Sequence, residues 1–324
     1  MIAETAGETA RPGGEARGAA LARFAEARGH RVFEALGVFW EEHQPLRFMA
    51  LPNQRWLDLD PRELGKALRS ARAAAVRYFT QAQPGLPCNV FVISPAGYSL
   101  ARVHGTHRKL IRRGLGRTEC RILDPDELLA LGLEVNLDAM ARQGRFEPEF
   151  GEPARWKRFV SAVRRCPEVS VLGAFVDGRL ASYHVNCRDG DWLHLLYKMN
   201  RTEDLARNAA VVLDFWELSR AAEDPGLRGA ECGHASIVGG FDGLHFYKTQ
   251  MGFEPVPARL AIRLHPALQP LVANRFTAGV ATALWKLRPA HRGLERAARM
   301  LQCAQVSAQG GGGPNHDAGE RERR

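Results

Sequence analysis

The chain has 324 residues, 45% hydrophobic and 8% aromatic, which is enough apolar material for one large globular domain or two ordinary ones. Lys and Arg number 45 against 36 Asp and Glu, a formal net charge of +9. That balance favours anionic partners, whether a phosphate-bearing cofactor, nucleic acid or an anionic membrane surface, without choosing among them.

Several classes drop out. No apolar run approaches the ~20 residues that a membrane-spanning helix needs, and the start of the chain lacks a basic segment followed by an apolar one, so no secretory signal is expected. Cys88, Cys120, Cys166, Cys187, Cys232 and Cys303 are scattered without CxxC spacing. They read as reduced thiols in a cytoplasm rather than a disulfide or zinc scaffold.

In chain order, residues 1–18 and the Gly-rich, charged segment from Val306 read as disordered tails. Asp60-Pro61-Arg62-Glu63 has helix-start chemistry, with the cap, the proline and the returning glutamate in place. Leu64, Leu68, Ala71, Ala75 and Phe79 extend one helical face from it. CNVFVIS (88–94) reads as a buried strand. Asp124-Pro125-Asp126-Glu127 repeats the start, and Gly132 is placed to close that helix. Trp156, Phe159, Val160 and Val163 form a helical stripe ending near Cys166-Pro167. Turns at Asp177-Gly178 and Asp189-Gly190 then divide 169–200 into a three-strand antiparallel meander. Leu205, Ala209, Val212, Leu213 and Trp216 mark an amphipathic helix. A strand follows at 230–238, a helix at 241–255 and a final strand at 258–265. The span from Trp192 to Val238 is long enough for a parallel crossover, so the fold class is α/β with a mixed sheet. Residues 271–301 read as helical and basic.

His104 and His107 lack a third ligand at useful spacing, so no metal is expected. Arg108, Lys109, Arg112 and Arg113 form a basic run, read as a solvated face or as a binder of an anionic substrate or tRNA. No recognition-helix or RNA-binding signature accompanies it, and DNA is not an expected partner.

The element order closed by FYKTQMGF (246–253) resembles the second half of the GNAT N-acyltransferase fold. The last helix of that fold commonly reads Phe-Tyr-x-x-x-Gly-Phe. Phe246, Tyr247, Gly252 and Phe253 come close to this pattern, although four residues rather than three separate Tyr247 from Gly252. HGTHRKLIRRGLGRTECRIL (104–123) resembles the basic segment of FemAB-type proteins, which are built from two GNAT-like halves. Tyr247-Lys248 also corresponds to their terminal Phe-Lys-x-x-x-Gly-like motif. The resemblance covers roughly residues 30–265. It implies an abbreviated N-terminal GNAT-like half (19–123), a C-terminal acyltransferase domain (124–265) and a helical extension (266–305), between tails 1–18 and 306–324.

The resemblance also implies a chemistry. Strands Trp192–Met199 and Ala230–Val238 would splay around an acyl-CoA co-substrate, acetyl or longer, with Leu196, Tyr197, Lys198 and Met199 along its arm. Arg201, Arg207, Asn208 and Ala209 would hold its pyrophosphate at the next helix start, where free N–H groups and the dipole favour anions. Asp204 and Ala206 fall where the family's turn carries glycine, a departure that favours the FemAB branch. Tyr247 would protonate the leaving thiolate, His194 or His234 would take the proton of the amine, and Lys248 would neutralise a carbonyl oxygen or phosphate. Each has a plainer reading as well. Tyr247 fits a core aromatic, Lys248 a solvated lysine and His194 a hydrogen-bonded strand residue.

The implied activity is N-acyl transfer from acyl-CoA or another activated donor to a small-molecule or peptide amine. The alternatives are an aminoacyl-tRNA-dependent FemAB-type peptidyl transferase and a non-catalytic GNAT-fold binding module. The basic C-terminal helix adds peripheral contact with an anionic membrane as a further expectation.

Overall fold

The computed structural model describes residues 16–53, 55–236, 242–288 and 291–309. The chain opens with helix α1 (Ala19–Ala27). Next come strands β1 (Val32–Ala35), β2 (Val38–Gln44) and β3 (Arg47–Leu51), α2 (Pro61–Ser70), β4 (Ala75–Thr80) and β5 (Leu86–Ile93). The middle holds α3 (Gly105–Leu115), β6 (Glu119–Ile122), α4 (Pro125–Gln143), α5 (Pro148–Gly151) and α6 (Pro153–Arg165). Then follow β7 (Val169–Val176), β8 (Arg179–Asp189), β9 (Trp192–Asn200), a 3-10 turn (Leu205–Arg207), α7 (Ala209–Ala222) and β10 (Gly229–His234). Helix α8 (Asp242–Gln250), β11 (Glu254–Leu264), α9 (Gln269–Val272), α10 (Arg275–Leu287) and α11 (Arg292–Gln309) end the described chain.

The strands form one mixed sheet in the order β1-β2-β3-β4-β11-β5-β10-β9-β8-β7-β6. Among the described strands, β3–β4 and β9–β10 are the pairs that run parallel. Strand β11 pairs antiparallel with both β4 and β5, so the last strand joins the two halves of the sheet. Both faces carry helices. On one face, α3, α7 and α8 cover Phe91, Ile93, Leu195 and Ala230, and α2 covers Trp40, Val76 and Tyr78. On the other, α1, α4 and α6 pack on Val171, Tyr183 and Val185, and α11 packs on Val256, Leu260 and Ile262.

The helix start at Asp60 is present, its carboxylate accepting from the N–H groups of Arg62 and Glu63, but the helix stops at Ser70. Ala75 to Phe79, read as its continuation, belong to β4, because alternation places Val76 and Tyr78 under α2 while Phe79 faces the opposite cluster. The start at Asp124 is a full capping box, yet Gly132 does not end that helix. It sits within α4 against Trp156, where a Cβ would come within 2.6 Å of the indole, and the left-handed stop is Gly144 at φ 62°. The meander has its three strands, with its second turn centred one residue later, on Gly190-Asp191. Asp189 does other work: its carboxylate accepts from the N–H groups of Gly18 at 2.6 Å and Ala20 at 3.1 Å, anchoring the start of α1. The strand read over 230–238 is β10, but it starts at Gly229 and stops at His234; Ala235 and Ser236 follow it outside any strand, and 237, 238 and Phe241 of the expected helix lie outside the described residues.

Candidate active site

The site begins with a failure of pairing. Parallel strands β9 and β10 share only three pairs, Trp192 with Gly229, Leu193 with Ala230 and His194 with Glu231. Beyond them β9 runs six further residues beside β8 alone. The cause is visible on the far side of β9. Val185 pairs with Tyr197 and Asn186 with Leu195, so Leu196 is an extra residue that bends the strand. Past the parting point Leu196, Tyr197 and Lys198 on β9 and Cys232, Gly233 and His234 on β10 are all half-buried, although helices cover both faces. A slot therefore opens in the middle of the sheet.

One side of the slot is walled by α7 and α8. Tyr247 Oη donates a short hydrogen bond to Asp214 Oδ2, and Lys198 Nζ donates to Oδ1 of the same carboxylate. Lys198 also reaches Glu217 Oε2 at 3.4 Å, which His184 Nδ1 approaches at 3.1 Å; Asn186 holds the other oxygen. Burial opposes ionisation of Asp214 and Glu217. Lys198 and His184 more than offset it, holding both carboxyls below their usual range. Burial, and then Asp214, push the Tyr247 phenol well above its ordinary value. It keeps its proton throughout the physiological range. Lys248 has a different task, since its Nζ donates to the carbonyl of Cys232 at 2.6 Å and lies 4.6 Å from the Phe91 ring centre.

The opposite face carries the histidines. Leu193 and Leu195 point toward α7, so His194 between them points away. It is 1% exposed, with Nδ1 3.2 Å from Glu231 Oε1. His234 Nδ1 donates to the Ala235 carbonyl at 2.9 Å, which leaves Nε2 as the lone-pair nitrogen. Burial, and secondarily Arg77, lower its pKa to about 4, so the ring is neutral at physiological pH. Nearby, Tyr197 accepts from Arg28 Nη1 at 2.7 Å, and Arg28 in turn pairs with Glu41 at 2.6 Å and Glu149 at 3.0 Å.

The expected phosphate residues are arranged less simply. Arg201 is 6% exposed and donates to Leu180 O and Glu134. Arg207 pairs with Asp177. Asn208 stands left-handed at φ 66° before α7, and Ala209 is buried under it. Met199 belongs to the core beneath α4 and α6, with Leu196 packed beside it. Helix α3 lies against this turn: a Cβ on Gly114 would meet Val212 at 2.5 Å and the Arg207 carbonyl at 3.4 Å. Its Lys109, Arg112 and Arg113 are exposed.

Asp214, Glu217, His184 and Asn186 were not singled out from sequence. The signal was there in part, as two acids three residues apart in the apolar AAVVLDFWELS and two polar residues alternating on β8. His184, Asp214 and Glu217 could also ligate a metal, but Lys198 already supplies a cation to both carboxylates.

Asp214→Asn is expected to lower stability by about 3 kcal/mol in chemical denaturation, because Lys198 loses its main counter-charge. Lys198→Met with Asp214→Leu should recover much of that loss. The pH dependence of His234 has a definite sign. Its folded-state pKa lies below its unfolded value, so the unfolded chain binds the extra proton between about pH 6.5 and 4. Stability should fall as pH falls through that window, and His234→Gln should flatten the fall in a melting-temperature profile.

The model of the acetyltransferase (GNAT) domain matches residues 101–249, from just before α3 to the end of α8. The solved structure of FemX superposes with a TM-score of 0.54 at 12% identity, covering 78% of this chain and 93% of that one. The C-terminal domain of a putative lysylphosphatidylglycerol synthetase from Agrobacterium fabrum gives 0.50 at 14% identity, covering 76% and 88%. No curated protein matches the chain by sequence. Parted strands, an intervening helix and a closing tyrosine helix all fall within 101–249, so this segment is a GNAT-type domain, set in a doubled sheet that shares its fold with FemX.

Proposed function

We propose that the chain transfers an acyl or aminoacyl group from an activated donor to a small-molecule or peptide amine, with the reacting carbonyl in the slot between β9 and β10. The observation that carries this reading is the ladder ending at His194–Glu231, with half-buried residues on both strands beyond it. Tyr247 on one side is a protonated phenol suited to giving a proton to the leaving group. His234 on the other is a neutral imidazole with a free lone pair, suited to receiving one from the amine. A main-chain N–H of β9 near Tyr197, beyond the parting point, would stabilise the developing oxyanion. Lys248 acts indirectly in this scheme, fixing the Cys232 carbonyl and with it the edge of the slot.

The donor is a phosphate-rich molecule in this reading, since Lys109, Arg112 and Arg113 stand exposed beside the start of α7. The turn before α7 lacks glycine, and Arg201 and Arg207 are already in ion pairs. These features favour an aminoacyl-tRNA over free acyl-CoA, and such a donor would place the reaction in the cytoplasm. Calorimetric titration with acetyl-CoA, longer acyl-CoAs and aminoacyl-tRNA separates the two. Arg112→Ala with Arg113→Ala should weaken tRNA binding and reduce its salt slope by about 2. Tyr247→Phe should lower kcat by about 100-fold. Binding of no donor, or full cellular function in Tyr247→Phe, would leave only a binding module.

Peripheral membrane contact follows from a separate feature. Phe276 and Leu287 of α10 are 79% and 78% exposed, and Val280 and Leu284 continue the same stripe. Arg275 and Lys286 lie within the helix and Arg288 just after it. No described helix is long and apolar enough to cross a membrane, so the helix would lie on the surface. Co-sedimentation should show binding to vesicles containing phosphatidylglycerol that is lost in Phe276→Ser with Leu284→Ser. Equal binding by that variant would reject the contact.

A further inference from the structure

On the face opposite Asp214, a cavity of about 570 Å³ lies between α11 and strands β3, β4 and β11. His43, Arg47, Arg77, His234 and Arg296 line it, and no described lining residue is an acid. Its remaining wall is largely apolar, from Phe48, Leu260, Ile262, Val272, Met300 and Leu301. Arg77 is the telling member. Alternation on β4 turns it toward α11 beside Phe79, and its guanidinium donates to Met49 Sδ, a thioether that neutralises no charge. Burial works against its charge, and so does neighbouring Arg296. A half-buried cation among other cations is costly unless an anion joins it. Glu41, in reach of His43, is already held by Arg28 and His30.

We propose that this cavity is a binding site for an organic anion, a phosphate ester or carboxylate attached to an apolar chain. The oxyanion sits among Arg77, Arg296 and His43, where guanidinium groups meet it with charged hydrogen bonds. The chain lies along β11 and α11. His234 belongs both to this cavity and to the strand that borders the slot. Resting on the transferase reading, the anion is therefore the far end of the acceptor, and its amine reaches His234 from this face.

Calorimetry on the full chain with octyl phosphate, octanoate, 1-octanol and inorganic phosphate tests the site without any turnover. Octyl phosphate or octanoate should bind at least about tenfold tighter than 1-octanol, and Arg77→Gln and Arg296→Gln should each weaken that binding by about tenfold. Arg296 is exposed, so its variant keeps the fold even if Arg77→Gln does not. Whichever anion binds tighter distinguishes a phosphate from a carboxylate ligand. Equal binding of 1-octanol, or unchanged affinity in Arg296→Gln, overturns the proposal. Inorganic phosphate binding as tightly as octyl phosphate overturns the role of the apolar wall. Anion binding without any acyl transfer would remove only the acceptor assignment.

Discussion

A sheet interior tolerates a gap only if the backbone groups stripped of their ladder partners find others. Everything around β9 and β10 follows from that constraint. The extra residue at Leu196 turns β9 away, and β10 loses its neighbour after Glu231. The Cys232 carbonyl is then taken by Lys248, and the Gly233 N–H by the carboxylate of Glu231 at 2.6 Å. The lysine next to the tyrosine near the end of α8 is thus explained by the strand it serves. Both residues sit there because the gap needs two things at one place, a cation for an orphaned carbonyl and a phenol for the carboxylate on α7.

That carboxylate organises one side of the slot. Asp214 takes Lys198 from β9 on one oxygen and Tyr247 from α8 on the other. Glu217, one turn on, ties in His184 and Asn186 from β8. Three elements are held by two acids on a helix that is otherwise apolar as far as Leu218. The arrangement fixes the phenol and keeps it protonated. The opposite side is held differently, with a neutral imidazole at His234 and the Arg28–Glu41–Glu149 group under Tyr197.

Much of the second half is legible in the sequence because its signals are local. Asp177-Gly178 stands at positive φ between β7 and β8, and the apolar stripe of α6 has a single period. The errors came where a local signal competed with a contact distant in sequence. Ala75 to Phe79 fit a helical face as well as an alternating one, and only the pairing with β11 decides for the strand. Gly132 looks like a stop until Trp156 is seen against it. The β1–β3 hairpins passed unnoticed because Leu36 and Leu46 take positive φ, a conformation that leucine does not advertise. Of the candidate residues, Tyr247, Lys248 and Lys198 were reached by motif and strand position. The carboxylate partners of Tyr247 and Lys198 required the tertiary fold, since nothing in a heptad of α7 says which strand its acids will face.

The location of β11 has a consequence for how the molecule is made. Residues 254–264 leave the ribosome long after β4 and β5, yet they lie deep in the sheet, between those two strands. Until they emerge, β4 and β5 each present an unsatisfied edge, a template for pairing with other chains. The amino-terminal half must therefore wait, incompletely zipped, until β11 emerges. Nascent chains stalled before residue 254 should be the aggregation-prone species, and the keystone segment should be among the last to gain protection from solvent exchange.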